Sequence, residues 1–393
     1  MRKVYLDHNA TTPVHPEVRK AIEPYLDDQF GNPSSIHWAG RDVRKGVEDA
    51  RQEIASFFGC QPLEVVFTSS GTESDNLAVK GIAYRKGNTG KHIITSQVEH
   101  PAVINTCRFL ETQGFRVTYV PVNRYGIVEP DSIRDALAGD TILVSVMYAN
   151  NETGDIMPVP EIGAIAREAG VVMHTDAVQA AGKIPIDFGT LPVDLLTFSG
   201  HKVNALKGTG GLIVRKGVEI EAITHGGHQE RGRRGGTENV AGIVAMGKSF
   251  QILKEGMEEE VAETRRLRDR FEKGLFGRIP ELVLNGHPTQ RLPNTVNISF
   301  RFVEGEAMLL NLDMMGIACS SGSACTSGSL EASPILLAMG ADPTDAQGAL
   351  RFSLGRGNSE EDIDYAVDAI ETVVNKLRAL SPLYTSPKEA KVR

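Results

Sequence analysis

Between residues 60 and 215, short β-branched runs alternate with stretches of helical period, and no other feature constrains the fold as much. The runs lie at 65–68, 93–95, 117–120, 142–146, 171–173, 195–198 and 211–214, each too short for a stable helix. Strands that alternate with helices pair in parallel, because each link must cross over, and the helices then cover both faces. The expected class is α/β, with a mostly parallel sheet. A chain of 393 residues exceeds what one apolar core holds, so a smaller α+β unit is expected beside the large one. The boundaries read as 16–255 for the large unit, and 1–15 with 256–393 for the small one. A long amphipathic helix at 246–276 links them, carrying Phe250, Leu253, Met257, Leu267, Phe271 and Leu275 at helical spacing. Ser359 and Asp362 have capping-box spacing ahead of a terminal helix bearing Ile363, Val367, Ile370 and Val374.

Sheets of this kind gather ligands beyond the carboxyl ends of their strands, and the reactive side chains of this sequence sit there. Lys202 closes Ser199, Gly200, His201, Lys202 directly after the run at 195–198, and Asp176 ends the run that begins at Val171. A lysine that can form a Schiff base, paired with a buried acid, is the combination pyridoxal phosphate requires. Alone, a His-Lys pair at a strand end is an ordinary polar turn. After the run at 65–68 come Ser69, Ser70, Gly71, Thr72 and Glu73, leading into a helix. Free N–H groups at such a terminus bind phosphate, although the same residues also make a simple N-cap.

With 42 Lys and Arg against 50 Asp and Glu, the formal charge of -8 shows no basic excess, so no direct nucleic-acid partner is expected. No apolar run nears the roughly 20 residues that cross a bilayer, and the first eight residues do not read as a signal peptide. The expected location is the cytoplasm, without a membrane partner. Four cysteines lack the spacing of a disulfide framework. Cys60, Cys107 and Cys319 fall in apolar surroundings and read as packing residues. Cys325 lies in a Ser- and Gly-rich stretch at 320–329 that reads as a solvated loop with a reachable thiol. It reads otherwise as a spare surface thiol or a redox partner of Cys319.

A series of motifs in chain order resembles the cysteine desulfurases, pyridoxal phosphate enzymes of the class V aminotransferase group, over nearly the whole chain. They run from Tyr5, Leu6, Asp7, His8, Asn9, Ala10 and Thr11 through Gly31, Asn32 and Pro33, then Glu99, His100 and Pro101. They continue with Asn150, Asn151 and Glu152, His174 through Gln179, Ser199 through Lys202, Gly235 through Asn239, Ser320 through Cys325, and Arg351, Phe352 and Ser353. The resemblance implies the type I fold of pyridoxal phosphate enzymes. It also implies that Lys202 carries the cofactor as a Schiff base, Asp176 pairs with the ring nitrogen, Gln179 bonds the phenolic oxygen and His100 stacks on the ring and moves protons. Gly71, Thr72, Ser199 and His201 would hold the phosphate, with Thr237 from the neighbouring subunit of a homodimer. Arg351 would fork onto the substrate carboxylate, helped by Asn151, which also borders the cofactor, and by Asn32. Cys325 would take sulfur from L-cysteine as a persulfide, leaving L-alanine, for delivery to an iron-sulfur scaffold or another acceptor protein. No metal is implied.

Taken singly, His100 also reads as a helix cap, Gln179 and Asn151 as loop hydrogen-bonders, and Arg351 as an ion-pair partner. An aminotransferase or selenocysteine lyase of the same fold would share Lys202, Asp176 and Arg351 but, for transamination, need no thiol. A non-catalytic scaffold would not need Lys202. The chain departs from the family pattern at 203–207, after the lysine, and at 331–334, after Cys325.

Overall fold

The alternation at 60–215 builds one seven-stranded sheet. The computed structural model describes residues 2–321, 332–382 and 384. Its strands are β1 (Val4–Tyr5), β2 (Val65–Thr68), β3 (His92–Ser96), β4 (Arg116–Val120), β5 (Thr141–Ser145), β6 (Val172–Asp176), β7 (Leu195–Ser199), β8 (Gly210–Val214), β9 (Leu282–Asn285), β10 (Thr295–Phe300), β11 (Ile317–Ala318) and β12 (Ala349–Ser353). The main helices are α1 (Pro16–Ile22), α2 (Trp38–Phe58), α3 (Gly71–Lys86), α4 (Pro101–Thr112), α5 (Pro130–Ala136), α6 (Val159–Glu168), α7 (Val240–Arg278), α8 (Gly305–Met314), α9 (Pro334–Ala338), α10 (Pro343–Gln347) and α11 (Glu360–Leu380).

The large sheet has the order β2-β8-β7-β6-β5-β3-β4. Five neighbours, β4, β3, β5, β6 and β7, run parallel. Strand β8 is antiparallel to both β7 and β2. Its link from β7 is the turn at 200–209, too short for a crossover helix, so the chain has to reverse. Side chains alternate across the pleat and sort into two buried layers. Ile93, Leu143, Val172, Leu195 and Leu212 face α3 and α4. Their neighbours Ile94, Val144, Met173, Leu196 and Ile213 face the other core with Ile54, Phe58 and Phe250 of α2 and α7. The rings of Phe58, Phe198 and Phe250 meet there at centroid distances of 5.2 to 5.4 Å.

A further core forms around the antiparallel sheet β12-β10-β9, covered by α8 and α11. Val4 and Leu6 belong to it, since β1 pairs with β11. Helix α7 runs 39 residues, longer than the segment read at 246–276, and starts from the Asn239 cap, which accepts from Gly242 N at 3.1 Å. Its residues to Leu253 pack in the first core and those from Leu267 in the second. The capping box of α11 forms as read, Ser359 Oγ accepting from Asp362 N at 3.2 Å and Asp362 Oδ2 from Ser359 N at 3.0 Å.

Edge strand β2 is closed by a buried carboxylate. Glu230 takes both arms of Arg51 at 2.8 Å and the N–H of Phe67 at 3.0 Å. Burial pushes the thiols of Cys60, Cys107 and Cys319 up to about 12, in keeping with packing roles. Among the described residues no helix is long and apolar enough to cross a membrane.

Candidate active site

Because β3, β5, β6 and β7 are parallel, their last residues, Ser96, Ser145, Asp176 and Ser199, open toward one side. Asp176 is buried at the end of β6, its Oδ1 accepting from Val178 N at 2.9 Å. Burial raises its carboxyl above the usual range, against the pull of His100 and Lys202. Lys202 stands in the single turn after β7, and its ammonium donates to the carbonyls of Asn9 and, at 2.8 Å, Ala10. Gln179, three residues past β6, donates from Nε2 to the same Asn9 carbonyl at 3.0 Å. Lysine and amide thus converge on one oxygen of the N-terminal segment.

His100 caps α4, its Nδ1 accepting from Ala102 N at 3.1 Å. The cap reading of this residue therefore holds, and it leaves Nε2 to the site. Burial lowers its proton affinity, with Asp176 opposing and Lys202 adding to the effect. Of the residues expected at the phosphate, Gly71 and Thr72 open α3, and Ser199 at the end of β7 lies beside Gly71. Ser70 caps that helix by accepting from Glu73 N at 3.1 Å. A Cβ on Gly71 would come within 2.8 Å of Val178 Cγ2 and 3.4 Å of Ser199 Cβ. Only glycine leaves this cradle open while keeping its N–H available at the helix start. Thr72 is exposed beside it. His201 bonds Thr11 Oγ1 at 3.3 Å, and burial with neighbouring Lys202 drives its proton affinity down to about 4.

Arg351 arrives from β12, on the other sheet, and is buried. It donates to Asn151 O at 3.0 Å and to Asp7 Oδ1 at 2.8 Å. Its Nε, and the Oδ1 of Asn151, are buried with no protein partner. An unpaired buried donor and an unpaired buried acceptor, on two residues already bonded to each other, are costly unless a ligand satisfies them, and a carboxylate and an amino group have that complement. The residues present therefore suit pyridoxal phosphate: an amine on Lys202, a carboxyl on Asp176, a donor on Gln179 and a glycine cradle for an anion.

Two sequence-selected residues among those described, Asn32 and Thr237, stand apart from this cluster. Asn32 is exposed and spends its side chain on its own turn, accepting from Ser34 N at 2.9 Å. Thr237 is exposed and lines a separate cavity of about 80 Å³ with Ser69 and Thr209. Its loop is pinned to α3 by Arg234, which donates from Nε to Glu73 Oε1 at 2.8 Å. Cys325 lies outside the described residues. The described flanks of its segment both touch the site: Ser320 pairs with the Arg351 backbone at 2.7 and 3.1 Å, and Ser333 Oγ donates to Glu152 at 2.6 Å.

Sequence reasoning passed over Asn9. It donates to Thr295 Oγ1 at 2.9 Å and accepts from Asn294 at 3.0 Å, while its N–H reaches Ser353 Oγ at 2.8 Å. The only sign of it was its place in the motif at 5–13. The departure at 203–207 turns out to fasten this segment: Asn204, at φ 61°, donates to Thr12 Oγ1 and Pro13 O, both at 2.8 Å.

The aminotransferase class-V family model matches residues 4–366. A protein named cysteine desulfurase IscS from Methanosarcina thermophila is 51% identical over 388 residues, covering 99% of this chain and 95% of its own. Another of that name from Dictyoglomus turgidum is 49% identical over 381 residues, covering 97% of each chain. Among solved structures, one titled NifS-like protein superposes with a TM-score of 0.90 at 37% identity, covering 95% of this chain and all of its own. A NifS-like protein from Rickettsia africae reaches 0.87 at 32%, over 95% of this chain and 100% of its own.

Proposed function

Since the chain belongs to the class-V aminotransferase family and is a cysteine desulfurase that works with pyridoxal 5'-phosphate, we propose a division of labour in which Lys202, Asp176, Gln179 and His100 hold the cofactor and Cys325 receives the sulfur of L-cysteine. The observation that carries this reading is the convergence of the Lys202 ammonium and the Gln179 amide on Asn9 O, with Asp176 buried at the end of the adjoining strand. When bound, the cofactor supplies an aldehyde that captures the amino group of cysteine and a ring that draws electrons from its α-carbon.

The protein's part is to bind, orient and move protons. Asp176, kept dry by burial, pairs with the ring nitrogen and keeps it protonated; Gly71, Thr72, Ser199 and His201 take the phosphate. Arg351 forks onto the substrate carboxylate, and the orphaned Asn151 Oδ1 accepts from the substrate's amino end. The Lys202 amine would remove the α-proton of the bound cysteine, and His100, its proton affinity lowered by burial, would carry the proton exchanged at the departing sulfur. The Cys325 thiolate attacks that sulfur; an S–S bond forms, the C–S bond breaks with its electron pair going to the β-carbon, and that carbon takes a proton so that the skeleton leaves as L-alanine. The flanks of its segment, fastened at Arg351 and Glu152, support its reach to the site.

The working unit is a homodimer in which Thr237 completes the phosphate cup of its partner. Support comes from the stretch from Phe30 to the first residue of α2, which exposes Phe30 by 75%, Ile36 by 92% and Trp38 by 63%, more apolar surface than a lone subunit keeps without cost. The persulfide passes to a sulfur-acceptor protein, of which an iron-sulfur scaffold is one, in the reducing cytoplasm. The test is alanine and sulfide release from L-cysteine with a thiol reductant. Cys325→Ala is expected to lose both, and Lys202→Ala to lose both along with the visible band of the bound cofactor. Full release by Cys325→Ala would refute its role.

A further inference from the structure

A second lysine faces the pocket. Lys183 lies four residues after Gln179, its stem partly exposed and its ammonium turned inward, donating to Gln179 O at 3.0 Å and to Gln179 Oε1 at 3.1 Å. It shares the wall of a cavity of about 50 Å³ with Lys202, His8 and Asn294. A lysine amine facing an amide from this side acts as a donor, so the end of Gln179 that meets it is the oxygen. The other end, Nε2, donates to Asn9 O at 3.0 Å, the carbonyl that also takes the Lys202 ammonium. Gln179 is thus clamped at both ends, and one N–H of its amide is left for an acceptor in the pocket.

Given Lys202 and Gln179 in the roles assigned above, we propose that Lys183 is a positioning residue that, by holding Gln179 Oε1, keeps the amide N–H aimed at the phenolic oxygen of the bound cofactor. Donation to that oxygen favours its anionic form and weakens the grip of the neighbouring Schiff-base nitrogen on its proton. The groups around Lys183 act in the same sense. Lys202 and Arg351 add to the effect of burial on Lys183, His8 and His201 are neutral under burial, and Glu260, among the described residues of the cavity wall, faces Arg356 at 3.6 Å. Burial and these cations bring Lys183 down to about 7, so it holds its proton loosely and gives hydrogen bonds in either state.

The experiment is a pH titration of the visible absorbance of the holoenzyme. Losing a hydrogen bond to a charged oxygen is expected to raise the midpoint by about one pH unit in Lys183→Met. Lys183→Arg, which keeps the donor, should titrate near the parent. Because Lys183 acts through Gln179, Lys183→Met added to Gln179→Leu should move the midpoint no further than Gln179→Leu alone. An unchanged midpoint in Lys183→Met overturns the proposal, and so does full additivity of the two substitutions. If Lys183→Met does not take up cofactor, Lys183→Gln enters the same cycle with the same criterion. Whether the band vanishes in Lys202→Ala is read separately, so failure of the Schiff-base assignment is distinguishable from failure of this one.

Discussion

Glu99 precedes His100 and fastens the floor beneath it. Its Oε1 accepts from Ser96 Oγ at 2.6 Å and from Met147 N at 3.0 Å, tying the end of β3 to the segment after β5. Burial pushes this carboxyl from 4.5 up to about 8, with Ser96 and Met147 opposing and Asp176 adding to the rise. A carboxyl whose folded value lies above its unfolded one keeps a proton that the unfolded chain has lost, so stability falls as pH rises through the window from 4.5 to 8. Integrating that difference between pH 5 and pH 8 gives a loss of roughly 3–4 kcal/mol for this one group. Glu99→Gln removes the titration while keeping an oxygen for Met147 N–H and a polar end for Ser96. Urea unfolding followed by circular dichroism, run on both proteins at pH 5, 6, 7 and 8, gives the difference directly. Contributions from Glu152 and Asp155, raised to about 7 and 6, and from the depressed His8 and His201, are common to both and cancel. The variant is expected to gain on the parent steadily with pH. A difference that stays flat from pH 5 to pH 8 would show that Glu99 does not keep its proton, and the reasoning fails.

Arg51→Met leaves Glu230 buried without its cation, which should cost about 3–5 kcal/mol, whereas adding Glu230→Leu should recover most of it, as read from unfolding midpoints. Arg351→Lys gives up the fork to a carboxylate, so the KM for L-cysteine should rise roughly tenfold or more while the visible spectrum of the resting enzyme stays as it was.

What could be read in advance follows from how local each signal is. Lys202, Asp176 and Ser199 were visible because a strand end is marked by its own apolar run, and the sheet supplies the common direction. The capping box at Ser359 and Asp362 is complete within four residues. The antiparallel turn of β8 was legible in hindsight only from the length of the link at 200–209, a negative signal that alternation alone hides. Lys183 reads as one more solvated lysine, since nothing in its neighbourhood says that it bonds the residue four positions earlier from inside a cavity. Asn32 and Thr237 were singled out by resemblance; Asn32 spends its side chain on its own turn, and Thr237 lines a cavity apart from Lys202, as suits a residue that would complete a partner's site.

Asn9 shows why the remainder resisted reading. Lys202 and Gln179 belong to the first core's strand ends; Thr295 and Ser353 belong to the second sheet; the side chain and backbone of Asn9 bond all four. Each hydrogen bond contributes about 1 kcal/mol net, but losing one partner strands the others in a buried space at 1–3 kcal/mol each. The seam between the two cores is therefore also the scaffold of the site: Arg351 crosses it to Asn151, Asn9 crosses it in both directions, and Arg351 reaches Asp7 on the same N-terminal segment. A substitution that loosens the seam far from the pocket, as at the packing of Val4 and Leu6, should misplace the Lys202 amine and the Arg351 fork together, because both are registered on the same seven or eight residues of chain.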